Sequence, residues 1–106
     1  ATYIVKGIKI TYISDTVYCK NCIELAKDSD LLICEAAYSS KLEDKAAEYN
    51  HMTSKQAATI ANIANAKKLV LTHFSQRYKT TTELEEDAKD VFENVVCAHD
   101  FMKIKL

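Results

Sequence analysis

Thr53-Ser54-Lys55-Gln56-Ala57-Ala58-Thr59-Ile60-Ala61-Asn62-Ile63-Ala64 runs through Asn65-Ala66-Lys67 into Lys68-Leu69-Val70-Leu71-Thr72-His73. Thr53 and Gln56 have the capping-box spacing, and Ala57, Ile60, Ala61 and Ala64 recur on one helical face, so a helix opens at Thr53. The short apolar run that follows, residues 68–73, has the length and composition of a buried strand. A capped helix feeding a buried strand is part of a βαβ unit, which predicts a parallel sheet with helices against it.

Working outward, the same alternation continues. Residues 30–36 read as a second buried strand. Residues 22–27 read as a helix, with Ile23, Leu25 and Ala26 mostly apolar. Residues 3–5 and 8–13 read as strands around a Lys6-Gly7 turn, with Ile8, Ile10 and Tyr12 on one face. Residues 41–49 read as a short helix whose Glu43, Asp44, Lys45 and Glu48 form a solvated face. Downstream, Thr82-Glu83-Leu84-Glu85 repeats the capping-box spacing, with Leu84, Ala88, Val91 and Phe92 as an apolar stripe. Residues 95–98 and 101–106 read as closing strands. The predicted class is α/β, in one domain over 1–106.

Composition narrows the function. The chain has 106 residues with 48% hydrophobic and 27% charged, so it can bury a core and is not disordered. One Gly and no Pro exclude the Gly-rich phosphate loops and disfavour a turn-dense β-sandwich. The net charge of −1 supplies no overall field for nucleic acid, so contact with RNA must be local or made through a metal. No apolar run is long enough to span a membrane, and Ala1-Thr2-Tyr3-Ile4-Val5-Lys6 lacks a signal-peptide layout; the expected location is cytoplasmic, with the four Cys reduced.

In an open α/β sheet, chemistry gathers beyond the carboxyl ends of the parallel strands. Asp15 follows the residue 8–13 strand, Glu35 closes the second, His73 closes the third, and His51 lies just before the capped helix. Asp and His at strand ends suit zinc. Singly, each has an ordinary structural explanation: Ser14-Asp15-Thr16 is a turn sequence, and a strand-end His is commonly hydrogen-bonded structure. Glu35 is harder to explain so, because a carboxylate between Leu31-Leu32-Ile33-Cys34 and Ala36-Ala37 needs a partner, for which His51 is the candidate.

Four segments carry a resemblance. Tyr12-Ile13-Ser14-Asp15-Thr16, Leu32-Ile33-Cys34-Glu35-Ala36, His51-Met52-Thr53-Ser54-Lys55-Gln56-Ala57-Ala58 and Leu71-Thr72-His73-Phe74-Ser75-Gln76-Arg77-Tyr78 occur in the order and spacing of the C-terminal part of ribonuclease Z, the tRNA 3′-processing endonuclease of the metallo-β-lactamase superfamily. The resemblance runs over essentially the whole chain. It implies the C-terminal half of an αββα sandwich, a mixed sheet with helices packed on it. It implies that Asp15 bridges two zinc ions, that His73 is a ligand of one, that His51 lies near the scissile phosphate and that Glu35 holds it. A histidinium there would stabilise developing charge or protonate the leaving oxygen. Arg77, the single Arg among 14 basic residues, and Tyr78 would face the RNA, Arg offering the planar fork that suits phosphate.

The chain also departs from that pattern. Cys34-Glu35-Ala36-Ala37 stands where the family usually has His-Glu-Ala-Thr, weakening support for Glu35. Met52 replaces the usual Ser and is expected to point outward. The family's His-x-His-x-Asp-His motif does not occur in these residues, and His99 matches no motif. The chain is therefore expected to be part of such an enzyme, inactive alone, with two zinc ions only in the complete protein. Its expected partners are a tRNA precursor, the missing N-terminal part, and a second copy meeting it through an uncovered sheet face. Two rival readings use other features. Cys19-Lys20-Asn21-Cys22 has the form of a dithiol redox module, although a thioredoxin-like site would need a cis-Pro and the chain has no Pro. A non-catalytic subunit of an obligate complex is the other.

Overall fold

The computed structural model describes residues 2–5, 7–14, 16–99 and 102. β1 (Thr2–Val5) and β2 (Ile8–Ile13) form an antiparallel hairpin whose turn needs Gly7, at φ +81°. The chain continues through α1 (Lys20–Ala26), β3 (Leu31–Glu35), a 3₁₀ turn (Ser40–Leu42), α2 (Glu43–Glu48), α3 (Ser54–Ile63), β4 (Leu69–Thr72), α4 (Thr82–Lys89) and β5 (Val95–Cys97). The five strands form one sheet in the order β1-β2-β3-β4-β5, and β2 to β5 are parallel.

That order decides where the helices go. Each parallel connection steps the same way across the sheet, and right-handed crossovers then put α1, α3 and α4 on one face. Thr11, Ile13, Leu32, Cys34, Leu69, Leu71 and Val95 alternate toward this face and are buried. Ala26 of α1, Ala57, Ile60 and Ala61 of α3, and Ala88 of α4 pack against it. Small alanines let α3 lie close to the strands while touching both α1 and α4. Ile10, Tyr12 and Ile33 point to the other face and are half-buried.

The predicted α/β alternation is present, with differences that have local causes. α1 begins at Lys20, two residues before the predicted start, because Cys19 already has extended cap geometry. The predicted 41–49 helix is a 3₁₀ turn followed by α2. The capping box at Thr53 is formed in both directions, Gln56 N–H donating to Thr53 Oγ1 and Thr53 N–H to Gln56 Oε1. The one expected at Thr82 is not: Thr82 is the first helical residue, and Thr81 before it makes no side-chain cap bond. Met52 is a correction. It points inward, 0% exposed, with the Cys34 thiol 3.7 Å from its sulfur. The segment around it runs beside the extension of β3, Ala37 N–H donating to Met52 O and Ser54 N–H to Tyr38 O, which turns residue 52 into the core. The strand expected over 101–106 lies outside the described residues apart from Met102. No helix among the described residues is long and apolar enough to cross a membrane.

Candidate active site

β2, β3 and β4 end level with one another: Ile13 pairs with Cys34, which pairs with Leu71, and Glu35 pairs with Thr72. Glu35, His73 and the loop after β2 therefore share one sheet edge. Asp15 itself lies outside the described residues. Its neighbour Thr16 is tied to the edge, donating its backbone N–H to Glu35 Oε1 at 3.2 Å.

Glu35 is the centre of this edge. Its side chain is 1% exposed, and its other oxygen accepts from His51 Nδ1 at 2.9 Å. The Met52 backbone N–H approaches that oxygen at 3.5 Å. Backbone and imidazole donors thus supply the support that the Cys34 substitution had put in question. Strand alternation explains why Cys34 takes no part: it faces the helices, where burial pushes its thiol pKa far up.

The placement of His51 follows from two helix ends. Asn50, at φ +59°, follows α2, with Asn50 N–H bonded to Ala47 O and His51 N–H to Ala46 O. These are the two bonds of a Schellman motif, and Asn tolerates the left-handed position it needs. Two residues later Thr53 caps α3. The link between the helices is so short that His51 has little freedom, and its Nδ1 meets Glu35. The imidazole's Nε2 lies on the far side of the ring, which is 37% exposed and borders a cavity of about 440 Å³ shared with Tyr18, Asn50 and Gln56.

A half-buried carboxylate on α4 braces this arrangement from behind. Asp87 accepts from Ser40 N–H (2.9 Å), Ser40 Oγ (2.5 Å), Ser54 Oγ (2.6 Å) and Lys55 N–H (3.1 Å). It thereby joins the chain after β3 to the N-terminus of α3. Burial opposes its charge, yet these hydrogen bonds and the Lys55 charge outweigh it and hold its pKa below the usual carboxylate value. Nothing in the sequence distinguished Asp87 from its acidic neighbours, because its partners come from two distant segments.

His73 departs from the strand. Continuing β4 would put residue 73 on the helix-covered face with Leu69 and Leu71. Instead its backbone adopts φ +58°, a strained conformation for a non-glycine residue that costs about 1–3 kcal/mol. The exposed ring turns to the other side of the sheet and packs edge-on against Tyr12 of β2, 6.3 Å between centroids. This carries His73 toward the strand that leads to Asp15. Arg77 and Tyr78 come to the His51 side. The Arg77 guanidinium lies 5.8 Å from the centre of the Tyr38 ring, and the His51 ring packs edge-on to that ring at 6.5 Å. Tyr78 Oη accepts from Ser39 N–H at 2.8 Å. Tyr38, a shared neighbour of His51 and Arg77, was not singled out by sequence.

Among the described residues no three His, Cys, Asp or Glu side chains converge as a metal would require. The residues described here do not by themselves fit a closed zinc site.

Comparison with known proteins agrees with this architecture. Residues 1–74 match the beta-lactamase superfamily domain. The chain is 44% identical over 102 residues to ribonuclease Z of Archaeoglobus fulgidus, covering 95% of this chain and 33% of the relative. It is 48% identical over 97 residues to ribonuclease Z of Bacillus thuringiensis, covering 90% and 32%. Among solved structures it superposes on 98% of its length with the short form of human tRNase Z, at TM-score 0.76 and 38% identity, covering 36% of that chain. The metallo-beta-lactamase fold protein YhfI from Bacillus subtilis gives TM-score 0.77 at 30% identity, over 85% of this chain and 36% of YhfI. The chain thus spans about a third of the length of the relatives it matches. From its fold and its sequence alike, this chain belongs to the beta-lactamase superfamily.

Proposed function

We propose that the chain is the C-terminal portion of a ribonuclease Z-type endoribonuclease that removes the 3′ trailer from tRNA precursors in the cytoplasm. The observation that carries this reading is the buried Glu35 holding His51 Nδ1 at 2.9 Å, with the rest of the ring open to a cavity. A fixed imidazole beside an open space suits proton donation to a leaving oxygen or stabilisation of charge on a phosphate. The likeness to ribonucleases Z from archaea and bacteria supports the choice of substrate class.

In this reading Asp15 and His73 are the chain's contribution to a site for two zinc ions, completed by ligands from outside these residues; a four-coordinate zinc needs more protein donors than two. Zinc would supply Lewis acidity for phosphodiester hydrolysis. Glu35 orients His51, and His51 acts at the phosphate. Arg77 and Tyr78 bind RNA, with the Arg77 fork taking a phosphate. The remainder of the enzyme packs on the sheet face of Ile10, Tyr12 and Ile33. Alone, the chain covers that face by self-association, and strictly monomeric sedimentation across concentrations would refute this.

The test begins with the coding sequence upstream of Ala1, where a His-x-His-x-Asp-His motif is expected. In the joined protein Asp15→Ala should lose bound zinc. His51→Ala should keep zinc and lose about 10²–10⁴-fold in cleavage of a tRNA precursor. Equal metal loss in both variants would overturn the separate roles, and turnover by the 106-residue chain alone above a metal blank would overturn its inactivity.

A further inference from the structure

The loop that ties Thr16 to Glu35 continues directly into a pair of thiols. Cys19 caps α1 and Cys22 lies one turn in, with Cys22 N–H bonded to Cys19 O at 3.1 Å. One helical turn separates two Cα atoms by about 5 Å, within the span of a disulfide. The two sulfurs are 3.4 Å apart. Cys19 is half-buried and Cys22 only 5% exposed, and both border a second open cavity with Tyr12, Ser14 and Thr16.

The two thiols differ chemically. The Cys22 backbone N–H and thiol hold the Cys19 pKa below its ordinary value, whereas burial, then the Cys19 hydrogen bond, pushes Cys22 up. Burial also raises Cys34 and Cys97. The more exposed sulfur is thus the better nucleophile, and the more buried one is placed to attack it from 3.4 Å. The pair is also connected to the site edge. Cys22 Sγ lies 3.9 Å from Val17 O, the Thr16 hydroxyl donates to the same carbonyl at 3.1 Å, and Thr16 N–H donates to Glu35. The single Cys22 S–H turns either to Val17 O or to the Cys19 sulfur, and closing the sulfurs to a bond length of about 2.05 Å removes it from both.

We propose that Cys19 and Cys22 form a reversible dithiol–disulfide site for low-molecular-weight disulfides, whose state reaches Glu35 and His51 through Thr16-Val17. The Cys19 thiolate attacks one sulfur of a disulfide such as oxidised glutathione, breaking its S–S bond and releasing one thiolate. Cys22, deprotonated by solvent, then attacks Cys19 Sγ in the mixed disulfide and releases the second. Two protein thiols are oxidised, one small disulfide is reduced to two thiols, and the two protein protons end on those thiols. The proposal does not depend on the RNA-cleavage reading, since its readouts need neither metal nor RNA.

The test equilibrates the chain with mixtures of reduced and oxidised glutathione, then counts free thiols by maleimide labelling and intact mass. Two of the four thiols should disappear together, with a mass loss of two hydrogens and no retained glutathione, and return in excess reduced glutathione. Cys22→Ser should trap glutathione on Cys19, and Cys19→Ser should leave Cys22 unmodified. On oxidation, the Thr16 amide and His51 ring resonances should shift while the Asn94 amide stays in place. Retained glutathione on wild-type Cys19 beside a labelled Cys22, no reaction in oxidised glutathione alone, or glutathione on Cys22 in the Cys19→Ser variant would each overturn the site. A disulfide that leaves the Thr16 and His51 signals unmoved would overturn its connection to the edge.

Discussion

Glu35→Ala and His51→Ala break the same hydrogen bond, but the structure predicts different stability costs. In Glu35→Ala the carboxylate disappears from a site only 1% exposed. Thr16 N–H, 3.2 Å from Oε1, is then left facing a void, and His51 Nδ1 loses its 2.9 Å acceptor. Met52 N–H, in a residue 0% exposed, also loses its 3.5 Å acceptor; a stranded buried donor costs about 1–3 kcal/mol, and the void adds to this. The exposed ring recovers part of its loss by bonding water, giving about 2–4 kcal/mol in total. In His51→Ala the buried carboxyl group survives and keeps Thr16 N–H. Removing one partner of a fully buried pair costs about 3–5 kcal/mol, but this ring is 37% exposed. Water reaches the vacated position, which discounts the loss to about 1–2 kcal/mol. Urea unfolding followed by circular dichroism at pH 7 measures both, with unchanged m-values as the condition for comparing them. Glu35→Gln serves as a second variant that keeps side-chain volume and should lose less than Glu35→Ala, since its amide N–H can meet His51 Nδ1 in the other tautomer while its oxygen still accepts from Thr16 N–H. A His51→Ala loss equal to or larger than that of Glu35→Ala would refute the assignment of Glu35 as a backbone-supported acceptor.

Asp87 should make stability depend on acid. Its folded pKa is lowered, so its contribution is fully present above its unfolded value near 3.9 and is lost as pH falls through the lower folded value. Asp87→Asn should therefore be less stable by about 1–2 kcal/mol at pH 7 and lose less further stability below pH ~4, as measured by urea midpoints across pH. Met52→Ser, which restores a small polar residue, should lower stability by about 2–4 kcal/mol because the site is a closed apolar one beside Cys34; a neutral midpoint would refute the inward placement. Asn50→Gly should be nearly neutral and Asn50→Val should cost about 1–2 kcal/mol, because only Val resists φ +59°. His51 ring resonances should broaden in the Val variant alone.

Much of the fold was legible because it rests on local chemistry. The Thr53–Gln56 box, the Ala57-Ile60-Ala61-Ala64 face and the apolar runs of β3 and β4 are short-range patterns, and each forms as read. The Thr82 box failed because hydroxyl-to-Glu spacing marks a helix start only when the hydroxyl residue lies outside the first turn, and α4 begins at Thr82 itself. Met52 was misplaced because its direction is set by pairing with Ala37, fifteen positions earlier in the chain.

The sequence by itself determined the alternation of strands and helices, the capped start of α3 and the need of a carboxylate at position 35 for a partner, since all three follow from propensity, periodicity and the cost of burying charge. Only the tertiary structure decided that the partner is His51, that His73 leaves its strand toward Tyr12, that Asp87 joins Ser40 to Ser54, and that a thiol pair shares a loop with Thr16. Those pairings join segments from separate parts of the chain, and their geometry exists only once strand register and helix ends have been set against one another.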